Sequence, residues 1–429
     1  MIKNEQGLRI AKLVHVSVDN GMTGNSNKYY NLFEQSDGTV RCEWGRVGKA
    51  PKITIISSSE FDSTYREKTG SKKGYIDQTE LFVEATPIDN DTKTASGEVV
   101  EIKDNMVKRL FDDLMAYANK SIKQNYKVTQ ESVTEAQVNA AQSLVNEITN
   151  ALKIGANISE INNKLLRLYT VIPRAMKDVR NHLLPSLTDK YNLEKAQRVM
   201  SNEQNTLDTM AGQVQLIKQQ REANKLNEGT NASKIDLLSQ MGLKVSAVVD
   251  KNILNEIKTL MGPNANQMKN VYEVVNTKTQ SKFDVNLKNA KNKKTALYFH
   301  GSRNANWFNI LQSGLLIRPA GAVHTGSAFG DGIYFASKAQ KSIGYTSLSG
   351  SYWASGSDNK AFLSLFEVHI GKQYITHASD SSLCFEKIQK LGSYDSVYAK
   401  PSGGFLQNEE FIVYNTNQVT IKYLIEVSN

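Results

Sequence analysis

At 429 residues the chain has room for two to four domains of about 100–200 residues each, and its 40% apolar and 22% charged fractions are those of a globular protein. No apolar run reaches the roughly 18 residues of a membrane-crossing helix, and the N-terminal MIKNEQGLRI is too polar for a secretory signal, so the expectation is an intracellular protein with no membrane partner. The net charge of +9 points to polyanion affinity, although the excess sits in residues 251–295, with nine Lys against three Asp/Glu, and not in residues 1–85, with 12 Lys/Arg against 11 Asp/Glu.

Residues 1–85 are rich in Val, Ile, Tyr, Phe and Thr. LVHVSV (13–18) alternates with period two, and KYYNLFEQ (28–35) runs into Ser36-Asp37-Gly38, a turn signal before TVRCEW. ITIISS (53–58) reads as a further strand and SSEFDSTYREKTG (58–70) as a short helix closed by Gly70. This predicts a small domain on an antiparallel sheet. The polar stretch 86–98, with Pro, Gly and Asp/Asn, reads as a linker.

The pattern then becomes helical over 99–230. Val107, Leu110, Phe111, Leu114 and Ala118 share one face, and Thr134 with Gln137 forms a capping box ahead of Val138, Ala141, Val145 and Ile148. Ile158, Ile161, Leu165 and Leu168 mark another helix, which Pro173 must end or bend, and 192–222 completes an all-α bundle. NKLNEGTNAS (224–233) reads as a loop. Helices are expected at about 246–261 and 265–276, followed by strands at ALYFHGS, DGIYFAS, FLSLFEVHI, FIVYNTNQ and IKYLIEV. The fold class is α+β and multidomain, with the last domain spanning 233–429. Cys42 and Cys384 lie far apart, which fits a reducing compartment, and the six histidines show no zinc-like spacing, so no metal is expected.

Three pieces of the C-terminal region carry unusual residue choices. Tyr298-Phe299-His300-Gly301-Ser302-Arg303 sets an imidazole, a backbone open to close approach and a hydroxyl side by side at a strand end. Phe329-Gly330-Asp331-Gly332-Ile333-Tyr334-Phe335 is a glycine-bracketed strand entry, followed by Lys341-Ser342 and Tyr345. Glu409-Glu410-Phe411-Ile412-Val413-Tyr414 opens an apolar strand with a carboxylate pair. Taken singly, each has an ordinary explanation in a core histidine, a packing tyrosine or a solvated glutamate.

Together the three resemble the His-Tyr-Glu triad of the poly(ADP-ribose) polymerases, in the order His300, Tyr334, Glu410, with YFHGSR, HTGSAFGDGIYFAS and NEEFIVYNTNQVTIKYLIEV as flanking text. Upstream, Glu43-Trp44-Gly45-Arg46-Val47-Gly48 resembles the WGR domain that accompanies these enzymes, here 1–85, and LYTVIP (168–173) resembles their regulatory helical domain, here 99–230. The resemblance implies an NAD-dependent ADP-ribosyltransferase domain over 233–429, with NAD as substrate and protein acceptors, the enzyme itself included.

The resemblance also implies residue roles. Glu410 stabilises oxocarbenium charge on the ribose and polarises the acceptor hydroxyl, His300 holds a ribose hydroxyl, and Tyr334 and Tyr345 sandwich the nicotinamide. Gly301 and Ser342 take the nicotinamide amide, Ser302, Arg303 and Asn306 line the adenosine side, and Lys341 is the active-site lysine. Trp44 and Arg46 bind DNA ends or breaks, and the helical domain gates the NAD site. Nuclear residence is implied in a eukaryote, cytoplasmic or nucleoid residence in a bacterium or virus. The chain departs from the family at Leu316, where an arginine is usual, at Ser327 in place of a tyrosine, and in a short stretch between Gly392 and Glu409 where polymer-forming members often have a longer acceptor loop. Mono-ADP-ribosyl transfer and a catalytically dead DNA-end-binding scaffold stay open as alternatives.

Overall fold

The computed structural model describes residues 1–4, 6–18, 25–82, 102–126, 133–184, 190–227, 237–317, 328–401 and 406–429. The expected linker at 86–98 and most of the loop at 224–233 lie outside these residues. The chain divides into two units: residues 1–96 with 121–214 and 321–323, and residues 97–120 with 215–320 and 324–429.

In the first unit the period-two runs become β1 (Ile10–Val18), β2 (Asn25–Glu34), β3 (Thr39–Arg46) and β4 (Lys52–Ser57), followed by α1 (Phe61–Thr69), β5 (Ile76–Asp77) and α2 (Thr79–Phe82). The five strands form one antiparallel sheet in the order β4-β3-β2-β1-β5. The β2–β3 turn is fixed as its residues dictate: Gly38 takes φ +83°, and the Asp37 carboxylate accepts from the Thr39 amide at 3.0 Å. Alternation along β1 serves two cores. Ala11 and Leu13 pack with Leu32, Val40, Cys42 and Phe61, while Val14 and Val16 join the helical residues Ala141, Ile148, Leu165, Leu168 and Tyr169.

Those helical residues lie on α4 (Glu135–Lys153) and α5 (Ile158–Val171), which α3 (Asn105–Tyr126) precedes and α6 (Lys190–Asn227) follows in the chain, and the division between units falls within α3 and within α6. The capping box at Thr134 and Gln137 forms as the spacing predicts. Helix α5 stops at Val171, two residues before Pro173, because proline offers no amide and crowds the preceding turn. A polar seam ties the sheet to the segment after α5. The Asn27 side chain donates to Arg174 O at 2.8 Å, and Arg46 Nη2 donates to Met176 O at 2.9 Å and Lys177 O at 2.6 Å. Gly48, at φ +82°, lies so close that a Cβ there would stand 2.4 Å from that of Ala175. Arg174, nearly fully buried, is held by a bidentate pair with Glu203 at 2.6 and 3.0 Å and by the face of Tyr169.

The second unit contains, in order, α7 (Leu237–Gln240), β6 (Leu243–Ala247), α8 (Lys251–Met261), β7 (Met268–Asn276), α9 (Thr277–Asn289), β8 (Thr295–Gly301), α10 (Trp307–Ser313), β9 (Ile333–Phe335), α11 (Ala339–Ile343), β10 (Lys360–His369), β11 (Gln373–Thr376), α12 (Phe385–Gly392), β12 (Ser396–Ala399), β13 (Glu410–Val413) and β14 (Val419–Ser428). They build two sheets, β6-β7-β14-β10-β8 and β11-β12-β13-β9, joined by a bridge between Phe299 and Ala336. The early part of α3 belongs here as well: Val107, Leu110, Phe111 and Leu114 bury against Trp307, Phe308 and Leu311.

Two expected helices differ. The first starts only at Lys251, where the Asp250 carboxylate caps the Asn252 amide, and Leu243–Ala247 before it is a strand. The second is the strand β7, whose Val271, Tyr272 and Val274 are buried. β-branched and aromatic residues favour the pleated surface once β14 offers an edge to pair with. The helix is displaced to 277–289, started by Asn276, which accepts from the Lys278 and Thr279 amides.

Candidate active site

The two sheets meet where the three chemical segments end. β8 carries His300 and Gly301 at its C-terminal end, β9 carries Tyr334, and β13 begins at Glu410, with Ile412 opposite Tyr334 and Phe411 opposite Phe335. His300 Nδ1 lies 3.0 Å from the carbonyl oxygen of Tyr334. A carbonyl only accepts, so Nδ1 carries the proton and the neutral ring leaves Nε2 as an acceptor. Burial between Phe335 and Phe366 lowers the His300 pKa and outweighs that carbonyl, which favours the neutral form.

Gly301 is fixed by contact rather than by backbone angle. A Cβ there would stand 1.8 Å from the carbonyl oxygen of Ser342. Ser342 is buried on α11, and the next turn delivers Tyr345. The Asn306 side chain donates to Ser302 Oγ at 3.1 Å, while Arg303 is exposed. Gly330 takes φ +80°, and a Cβ there would stand 1.8 Å from Leu383 O. That turn is held from inside by Tyr334, whose hydroxyl donates to Gly330 O at 2.7 Å and accepts from the Phe329 amide at 3.0 Å. Burial pushes the Tyr334 pKa upward, so the phenol stays protonated.

The adjacent carboxylates part company, as strand geometry requires. Glu409 accepts from Ser337 Oγ at 2.8 Å and from the Tyr398 hydroxyl at 2.6 Å, and these bonds hold its pKa below the ordinary carboxylate value. Glu410 pairs through Oε1 with Lys341, and its Oε2 is buried with no partner among the described residues. Burial lowers the Lys341 pKa and the Glu410 carboxylate opposes that shift. Tyr345 is pushed up to about 12 by burial and then by Glu410. His300, Gly301, Tyr334, Lys341, Ser342, Tyr345 and Glu410 thus converge on the meeting line of two sheets, with Ser302, Asn306 and Arg303 on the segment just beyond β8.

The poly(ADP-ribose) polymerase catalytic domain, as a sequence family, matches residues 249–429. A putative poly [ADP-ribose] polymerase-like protein of Invertebrate iridescent virus 6 is 37% identical over 37% of this chain and 84% of its own length. The chain belongs to the poly(ADP-ribose) polymerase family. The poly [ADP-ribose] polymerase of Drosophila melanogaster is 27% identical over 97% of this chain and 47% of its own length, and poly [ADP-ribose] polymerase 1 of Gallus gallus is 27% identical over 94% of this chain and 44% of its own length. As a poly(ADP-ribose) polymerase family member the chain is an ADP-ribosyltransferase that uses NAD as substrate.

One aromatic residue beside this candidate site escapes sequence reasoning. Trp353 stacks on Tyr345 with ring centroids 5.9 Å apart and planes 16° from parallel, while 60% exposed. Its only signal in the sequence is an aromatic pair, Tyr352-Trp353, inside a Gly/Ser-rich loop. The residues expected to meet nucleic acid sit in the first unit. Trp44 is half-buried outside both apolar cores, its Nε1 donates to Thr54 Oγ1 at 3.2 Å, and the Lys52 ammonium lies 5.1 Å from its ring centroid. Arg46 is half-buried and engaged with the carbonyls of Met176 and Lys177. Ser327 lies outside the described residues. Leu316 is 59% exposed. Among the described residues no group of three or more His, Cys, Asp or Glu side chains is disposed to hold a metal, and no helix is long and apolar enough to cross a membrane.

Proposed function

We propose that the chain is a DNA-break-stimulated poly(ADP-ribose) polymerase that transfers ADP-ribose from NAD to proteins, itself included, and releases nicotinamide. The observation that carries the chemistry is Glu410. A buried carboxylate oxygen without a donor, beside one already paired with Lys341, suits a ribose hydroxyl and a developing positive charge. In this reading the Gly301 backbone takes the nicotinamide amide, at a position packed so closely on α11 that a side chain would strike Ser342, with the Ser342 hydroxyl beside it. Tyr345 and Tyr334 flank the ring, and His300 Nε2 accepts from a ribose hydroxyl because Nδ1–H is committed to Tyr334 O. Ser302, Arg303 and Asn306 serve the adenosine side.

The bond to be broken joins ribose C1′ to a cationic nicotinamide nitrogen. Nicotinamide leaves with the bonding pair as a neutral molecule, so no general acid is needed. Glu410 stabilises the oxocarbenium charge left on the ribose, then polarises the incoming hydroxyl and takes its proton as the oxygen bonds to C1′. Glu409, bound to Ser337 and Tyr398, takes no part.

Residues 1–85 act as a WGR domain, 99–230 as a regulatory helical domain and 233–429 as the transferase. The half-buried ring of Trp44, with Lys52 over it, suits stacking on a terminal base or sugar. Arg46 links the same strand to the segment after α5, so a nucleic-acid end held at Trp44 pulls on the helical layer. A coupling of about 1–3 kcal/mol suffices to gate the site. Mono-transfer is the second reading, favoured by the short stretch between Gly392 and Glu409. Labelled NAD with and without nicked DNA tests both. A DNA-dependent smear of automodified protein is expected, a single sharp band supports mono-transfer, and turnover indifferent to DNA contradicts the regulatory part.

A further inference from the structure

Glu410 stands at a strand end that its sheet pairs on one side only. β13 meets β12 through Glu410, Phe411 and Ile412, opposite Ala399, Tyr398 and Val397. Its pairing with β9 starts one residue later, at Phe411 opposite Phe335. In that register the partner of Glu410 would be Ala336, but Ala336 bridges to β8 instead and exchanges backbone bonds with Phe299 at 2.9 and 3.0 Å. A strand end with half of its ladder missing is the first part of a strand to fray.

Glu409 supplies the missing tie through its side chain. It faces away from Glu410, on the side of the sheet that carries Phe411 and Tyr398, as alternation along the strand requires. The β9 register sets Ser337 opposite it, and Ser337 Oγ donates to Glu409 Oε2 at 2.8 Å. Glu409 Oε1 accepts from the Tyr398 hydroxyl, on β12, at 2.6 Å. One carboxylate therefore reaches across to both neighbours of β13 immediately before Glu410. The anchor on β12 is itself held by stacking. The Tyr398 ring lies on Phe411 with centroids 4.9 Å apart and planes 5° from parallel, and Phe411 lies on Tyr298 of β8 at 4.0 Å and 14°. Hydrogen bonds from Tyr398 and Ser337, with the charges of Lys338 and Lys400, hold the Glu409 pKa below the ordinary carboxylate value against the effect of burial, so both oxygens remain acceptors.

We propose that Glu409 is a positioning residue for the transfer reaction: it braces the end of β13 between β12 and the segment after β9, and so fixes the place and direction of Glu410. Glu409 touches no substrate and moves no proton, and the inference rests on the role given to Glu410 above. A brace needs an acceptor toward Tyr398 and a hydrogen-bond partner toward Ser337, not a negative charge. Glutamine meets both needs, because its oxygen accepts from the phenol while its amide donates to the serine hydroxyl. Alanine meets neither.

The test is nicotinamide release by the full chain in the presence of nicked DNA, with kcat and KM taken separately and NAD affinity titrated on the same samples. Glu409→Ala should lower kcat by about tenfold or more, since a misplacement of about 1 Å costs about 100-fold, while KM and NAD affinity stay within about twofold of the parent. Glu409→Gln should keep kcat within about threefold. Ser337→Ala and Tyr398→Phe delete one anchor each and keep the stacked rings. Each should lower kcat by less than Glu409→Ala, and the double variant should match it. These two hydroxyl deletions decide the outcome if Glu409→Ala does not fold. Parental kcat in Glu409→Ala, or in the double variant, overturns the proposal. So does an equal loss in Glu409→Gln and Glu409→Ala, which would make the charge and not the brace the cause. A rise in KM in step with the fall in kcat overturns it as well, because Glu409 would then support the fold of the whole site. Failure of the Glu410 reading would show separately, as parental kcat in Glu410→Gln.

Discussion

Gly301→Ala tests the geometry of the site with one methyl group. An ideal Cβ at Gly301 falls 1.8 Å from the Ser342 carbonyl oxygen and 2.7 Å from its carbon. Relief demands that β8 and α11 separate by more than 1 Å, because a carbon–oxygen contact normally needs about 3.3 Å. Over-packing of this kind costs about 1–3 kcal/mol, and about 2–4 °C of Tm per kcal/mol in a domain of this size. The functional loss is larger. A 1 Å misplacement of a substrate-positioning group costs about 100-fold, or about 2.7 kcal/mol of transition-state stabilisation. Nicotinamide release at limiting NAD should therefore fall by about two orders of magnitude, while the melting temperature drops by about 2–12 °C and the chain stays folded at 25 °C. A folded variant with parental kcat/KM for NAD would refute the claim that the Gly301–Ser342 contact forms part of the substrate site.

Trp353→Ala removes the ring stacked on Tyr345, and a stack is worth about 0.5–1.5 kcal/mol. KM for NAD should rise about 2- to 10-fold with kcat little changed; an equal fall in kcat would mean that the loop folds the site rather than backing one ring. Trp44→Ala should abolish DNA stimulation and spare the basal rate, because Trp44 belongs to neither apolar core; a parallel loss of both rates would make it a structural residue. Glu34 is held at about 2, against an ordinary 4.5, by hydrogen bonds from Arg9 and Ser58. Its folded-state pKa is depressed, so its contribution is complete above about 4.5 and is lost as the pH falls toward 2. Urea melts should show Glu34→Gln losing stability relative to the parent near neutral pH and converging with it at the acid end; a constant difference across that window would contradict the linkage.

The strand ends that hold His300, Tyr334 and Glu410 were legible because their backbone needs are written in residue type: Gly301, Gly330 and Gly332 stand where a side chain would strike neighbouring atoms. The same held for the strands of the first unit, where β1 alternates cleanly between two cores. Residues 265–276 read as a helix because Val271, Tyr272, Val274 and Val275 satisfy a helical face nearly as well as a pleated one, and only pairing with β14 and β6 decides. The resemblance implies a DNA contact for Arg46, and its motif says nothing of the carbonyls that its guanidinium also meets. Its carbonyl partners stand 130 residues further along the chain, a distance no local pattern spans. Trp353 gave no periodic signal because its loop has none. Glu409 and Glu410 are identical in type, and their separation into a Tyr398-bound and a Lys341-bound carboxylate follows from strand alternation plus partners that the sequence does not order.

The measurement that bears most directly on the central claim is labelled NAD turnover by Glu410→Gln, with NAD affinity measured on the same protein. The side chain keeps its shape and loses its charge, so polymer formation should vanish while NAD still binds within a few-fold of the parent. Unchanged polymer yield in that variant would contradict the role assigned to Glu410 and, with it, the account of the site.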